Sequence, residues 1–149
     1  MIRFYFAFVL ALTLGAVSTR ADDAADFKAT WKFKSVNAGG APVPDEVTKT
    51  LELKITKEEL ELSGSAIKET IKSKYTIDEK AKSFDFEPTS GPEKGKVSKG
   101  VYELKVVKTD AGDKIMLRLY FSKPGEERPK KIEDEVAKDH FLWVLDRNK

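Results

Sequence analysis

The chain has 149 residues, of which 35% are charged and 40% hydrophobic, with no cysteine and a single histidine. That composition excludes a disulfide framework, a cysteine nucleophile and the usual thiolate or multi-histidine zinc sites within one chain. The formal net charge is only +2, with both signs finely mixed, so no single-sign face is available to attract nucleic acid or a membrane surface.

The first element is MIRFYFAFVLALTLGAVSTRA, residues 1–21. Arg3 supplies a positive start, Phe4 to Val17 run without a charge, and Thr19 and Ala21 put small residues before a cleavage site ahead of Asp22. A membrane span needs about 20 apolar residues, more than this run offers. The segment is therefore expected to be a cleaved export signal, cut after Ala21 or, alternatively, after Ser18. No membrane span is then left, and the expected location is secreted or periplasmic. Without Arg3 and Arg20 the 27 Lys and Arg fall level with the 25 Asp and Glu, so the small basic excess belongs to the discarded signal. Residues 22–149 are expected to form one domain, long enough to bury a core without staples.

From Phe27 onward apolar and polar residues alternate. Trp31, Phe33 and Ser35 interleave with Thr30, Lys32 and Lys34. Leu51, Leu53 and Ile55 follow, then Leu60 and Leu62, then candidate strands over 67–77, 83–87 and 100–108. Ile115, Leu117, Leu119 and Phe121 form another such run, and 141–147 is the last. A period of two is the mark of strands with one buried face. Turn signals separate the runs: NAGGAPVP, SGS, DEKAK, TSGPEKGK, TDAGDK and SKPGEERP. PDEVTKT predicts a short helical turn between the first two strands, and KKIEDEVAKDH another before the last.

The sum is an all-β domain of about eight antiparallel strands with one or two short helical turns. Eight strands close into an up-and-down barrel that removes exposed edges, or they form a two-sheet sandwich; periodicity does not separate these. Pairing across a closure would favour the barrel. Trp31 is on the first strand and Arg147 ends the last, where counting by twos gives it the face of Trp143 and Leu145. In an eight-stranded meander those strands are neighbours, and the guanidinium would lie over the indole, a cation–π contact of about 0.5–2 kcal/mol.

This arrangement resembles the lipocalin and calycin signature, a first-strand tryptophan covered by an arginine from the end of the barrel. The chain is more closely similar to a lipocalin-like domain family of uncharacterised function that is abundant in planctomycete bacteria. The pieces that carry the resemblance are TWKFKSV, GAPVP, YTIDEKAKSFDFEPTSGPEKGK, GVYEL, ERP and LWVLDR, in order along nearly the whole of 22–149. Ala29 departs from the glycine usual two residues before the tryptophan. The resemblance implies an eight-stranded up-and-down lipocalin-like barrel and an exported location, and it implies no reaction. Trp31 and Arg147 are then expected to close the barrel structurally rather than to hold a ligand.

No catalytic constellation emerges. His140 sits beside Asp139 in AKDHF and reads as a solvated loop residue; no nucleophile elbow is present. GPEKGKV has the wrong spacing, and the wrong following element, for a phosphate-binding loop. The acidic runs Glu58–Glu59 and Glu133–Asp134–Glu135 lack the spacing of a calcium loop. No metal, cofactor or nucleic acid is expected. The leading expectation is an exported, monomeric, non-enzymatic barrel that binds a small apolar molecule. Its candidate lining is Phe33, Leu53, Ile55, Leu62, Phe84, Phe86, Leu117 and Leu119. These side chains are uniformly large, which argues for a filled or nearly filled interior. The alternative is therefore a filled barrel acting as an extracytoplasmic interaction module, through its charge-mixed exterior and the TSGPEKGKVSKG and SKPGEERPKK loops. An open apolar cavity favours the binder.

Overall fold

A computed structural model describes residues 23–148; the expected export signal, 1–21, lies outside the described residues. The strands are β1 (Thr30–Ala38), β2 (Ala41–Pro42), β3 (Leu51–Ile55), β4 (Glu59–Gly64), β5 (Ile71–Asp78), β6 (Ser83–Pro88), β7 (Ser98–Thr109), β8 (Gly112–Ser122) and β9 (His140–Asn148). Each pairs antiparallel with the next long strand, and β1 also pairs with β9, from Lys32 opposite Asp146 to Ala38 opposite Phe141. The sheet thus closes into an eight-stranded up-and-down barrel, and β2 is only a two-residue return on β1. Closure gives every long strand two neighbours, which a sandwich does not.

The inward faces follow the expected period, with one exception. A bulge between Phe33 and Ser35 shifts the β1–β9 register. Beyond it Val36, not Ser35, joins the barrel core. An extra residue on one strand turns the alternation over at that point.

Two short helices accompany the strands. Helix α2 (Asp45–Thr48) lies where PDEVTKT predicts it. The other, α1 (Asp23–Phe27), precedes β1. KKIEDEVAKDH is not helical; all but its final His140, which opens β9, belongs to the connection from β8 to β9, residues 123–139. This connection packs on the outer wall, where Val136 and Ile132 cover Val101, Tyr120, Leu142 and Val144. Ion pairs Arg118–Asp134 (2.9 Å) and Arg128–Asp85 (2.7 Å) hold it there. Arg128 Nη1 also donates to the carbonyls of Phe84 (3.1 Å) and Gly100 (2.7 Å). A small second core outside the barrel therefore explains why Tyr120, which points outward, is buried. Among the described residues no helix is long and apolar enough to cross a membrane.

Candidate functional site

The strands place their inward side chains in successive layers along the barrel axis. At one end, which we call the base, Trp31 of β1 is fully buried. Its Nε1 donates to the Phe27 carbonyl at 2.9 Å, and the Arg147 guanidinium lies 5.2 Å from its ring centroid. Arg147 Nη2 donates in turn to the Asp26 carbonyl (3.1 Å) and carboxylate (3.3 Å). Helix α1 plugs this end: Phe27 is buried edge-on to Tyr102 at 5.3 Å. The Tyr102 hydroxyl donates to Asp23 at 3.0 Å, and Asp23 also pairs with Lys82. Burial first, and then the bond to Asp23, push the Tyr102 phenol well above its ordinary pKa.

Above the base sits an aromatic layer. Phe33 meets Trp143 edge-on at 5.4 Å, and Phe121 meets Phe86 and Trp143 edge-on, both at 5.0 Å. Phe84 packs on Phe86 at 5.9 Å and on Phe121 at 6.0 Å. Stacked and edge-to-face contacts of this kind are the favoured geometries between aromatic rings. Gly100 of β7 makes room for it, since a Cβ there would stand 2.5 Å from the Phe84 ring.

Beyond this layer the interior is not filled. A cavity of about 590 Å³ occupies the other end, the mouth. Leu53, Leu60 and Leu62 line one side, with Ile71, Ser73, Phe86, Pro88 and Ser98 further round and Phe121, Phe141 and Trp143 completing the wall. Ser90, Pro92, Glu93 and Lys96, from the β6–β7 loop, and Lys123 and Pro124, which follow β8, form its rim.

Of the eight residues expected to line a ligand space, Leu53, Leu62 and Phe86 border this cavity. Phe33, Ile55, Phe84, Leu117 and Leu119 are instead core, almost wholly buried. The expectation of a filled interior is corrected with them: large residues fill the base and waist, but the mouth also carries small inward ones. Ser73 shares its face with Ile71, Tyr75 and Ile77, and Ser98 shares its face with Gly100, Tyr102 and Leu104; a two-residue count along IKSKYTI and SKGVYEL contains that signal.

The charges at the rim are matched. Lys96 pairs with Glu93 at 2.9 Å and Lys123 with Asp139 at 2.9 Å. The Lys123 hydrogen bond and charge hold the Asp139 carboxyl below its usual pKa. Ser90 Oγ accepts from the Lys72 backbone at 3.0 Å. His140 follows Asp139 in the chain, and its ring stacks on Tyr120 at 5.2 Å, on the outer side of the wall. Among the described residues no three His, Cys, Asp or Glu side chains gather as a metal site.

TSGPEKGKVSKG contributes Ser90, Pro92, Glu93 and Lys96 to the cavity rim before it enters β7, and SKPGEERPKK starts at the rim with Lys123 and Pro124 and is then held to the barrel wall by Arg128. No family model, curated protein or solved structure gives a significant match to the chain.

Proposed function

We propose that the protein is an exported, non-enzymatic carrier that holds a small apolar molecule in the mouth of its barrel. The observation that carries this reading is the cavity of about 590 Å³ walled by leucine, isoleucine, proline and aromatic side chains. Sites for small organic ligands occupy about 300–1,000 Å³ and are lined mainly by apolar and aromatic groups. The large residues that would have filled the space lie below it, so the interior at the mouth is available for a guest. The ionisable groups that reach the cavity stand at its rim in ion pairs, an arrangement suited to retention rather than to acid–base chemistry. Export is supported by the 1–21 segment and its small residues before Asp22. Membership of the lipocalin-like family is part of the same proposal, supported by the ordered sequence pieces and by the Arg147–Trp31 stack at the closure.

Native mass spectrometry of protein isolated from its own host tests the reading, together with titration by the neutral apolar fluorophore N-phenyl-1-naphthylamine. The expected outcome is a co-purified apolar molecule, or saturable one-to-one fluorophore binding that Leu62→Trp abolishes by filling the cavity. Bare protein mass combined with no saturable binding would overturn it.

A further inference from the structure

Resting on the carrier reading, we propose that the guest is an uncharged, oxygen-bearing apolar molecule, anchored through a hydroxyl or carbonyl by Ser73 or Ser98, and not a fatty-acid-type anion. Among the described strand residues that line the cavity, Trp143 on β9 offers only an indole N–H donor, and the two side chains that can both donate and accept are Ser73 on β5 and Ser98 on β7. Both residues are 5% exposed. Neither hydroxyl has a hydrogen-bond partner among the described residues, in contrast to Ser90 at the rim and Ser122, which donates to the Lys99 carbonyl. Both hydroxyls open onto the cavity and are uncommitted within the protein, so they bond water there or, in its place, a ligand oxygen within reach.

The placement of the pair follows from register. Ser73 faces Pro88 and Ser98 faces Phe86, so the serines flank β6 and are staggered along it. Strand spacing and rise put their Cα atoms roughly 10–12 Å apart. Each is therefore a separate anchor within an apolar wall, and each hydroxyl both donates and accepts. Alcohols, ketones, esters and amides all satisfy such a group.

An anionic head group finds no equivalent. No lysine or arginine belongs to the strand-borne wall. Arg147 faces inward, but at the base, where it covers Trp31 and bonds Asp26. Arg128 is engaged with Asp85 and two carbonyls. The rim lysines, Lys96 and Lys123, already have Glu93 and Asp139 as partners. A carboxylate inside would be a buried charge without a counter-ion, and one at the rim would compete with a resident carboxylate. The first is unfavourable, since a buried charge is tolerated only when paired; at the rim the lysines and their partners are about half exposed, so a ligand carboxylate gains little there.

Displacement of N-phenyl-1-naphthylamine by dodecan-1-ol and by dodecanoate, at a pH where the acid is ionised, tests the proposal on the wild type and on S73A/S98A. Dodecan-1-ol is expected to displace the fluorophore at a concentration at least about tenfold lower than dodecanoate. In the double variant its affinity should fall about five- to tenfold, a loss typical of one to two neutral hydrogen bonds, while fluorophore affinity stays within about twofold. The variant should melt no lower than the wild type, because neither serine gives up a bond within the protein. Equal or tighter binding of dodecanoate would overturn the proposal, as would unchanged dodecan-1-ol affinity in S73A/S98A. Failure of the fluorophore itself to bind, with bare mass for the protein from its host, would instead refute the carrier reading on which the proposal rests, so the two failures are distinguishable.

Discussion

At the base of the barrel Trp31 is wholly buried beneath an arginine, its indole N–H is bonded, and a helix closes the end. At the mouth, on the continuation of the same strands, Phe141 and Trp143 are half-buried and border open space beside two small serines. Both ends obey the same inside–outside alternation; they differ in side-chain size and in whether polar groups find partners within the protein. Stability and binding are thereby separated along one axis, and the residues that hold the barrel shut are not those that leave it room. If that separation is right, substitutions of similar chemistry should have unequal consequences at the two ends.

The largest contrast is between aromatic truncations. Trp31→Ala should cost about 3–5 kcal/mol, as for a fully buried large aromatic, whereas Phe141→Ala, whose ring already borders a cavity, should cost about 1–2 kcal/mol. Urea unfolding of the two variants measures both, and equal losses would erase the distinction. Next comes the waist between them. Gly100→Ala places a methyl 2.5 Å from the Phe84 ring and 2.7 Å from both the Phe121 Cβ and the Tyr120 carbonyl. Two of these neighbours cannot rotate away, so a loss of about 1–3 kcal/mol is expected; an unchanged midpoint would mean a looser waist.

A smaller effect sharpens the account of the base. In a double-mutant cycle Trp31→Ala and Arg147→Ala should couple by about 0.5–2 kcal/mol, whereas independent sites add within about 0.3–0.5 kcal/mol. The smallest effect depends on pH. Tyr102 keeps its proton to a higher pH in the folded protein than in the unfolded chain. Above the ordinary tyrosine pKa of about 10 the unfolded chain loses that proton first, so the native state binds more protons and stability falls as pH rises; below it the contribution is fully present. Tyr102→Phe should flatten this alkaline limb by at most about 1.4 kcal/mol per pH unit. An identical slope in the variant would remove Tyr102 from the account.

The barrel was legible in sequence because its inner face is read by one rule, the alternation through Leu51–Ile55 and Ile115–Phe121, and because Trp31 and Arg147 mark the closure. Three features were not legible, each for a physical reason. The bulge after Phe33 reverses the alternation without a glycine to announce it. Asp23–Phe27 is too short to carry a helical period, and its placement depends on contacts with Glu79, Lys82 and Tyr102, far along the chain. KKIEDEVAKDH has the composition of a helix, but Val136 is drawn onto the outer wall by Tyr120 and Leu142, and Asp134 by Arg118. At the site, Leu53, Leu62 and Phe86 were found because they are large. Ser73 and Ser98 carry no such signal, because small polar residues shape an empty space without adding apolar bulk to the pattern.

The closure at the base also bears on how the chain reaches and leaves its native state. The bond from Arg147 to Asp26 joins residues 121 positions apart, so its loop-closure entropy can be met only after the intervening hairpins have formed. Late-forming contacts are scarcely present in the folding transition state, and weakening them changes the unfolding rate far more than the folding rate. Arg147→Ala should therefore leave the refolding arm of the chevron almost in place and raise the unfolding arm. The arginine over the tryptophan would then act as a latch on the lifetime of the folded protein, more than as a guide to its assembly.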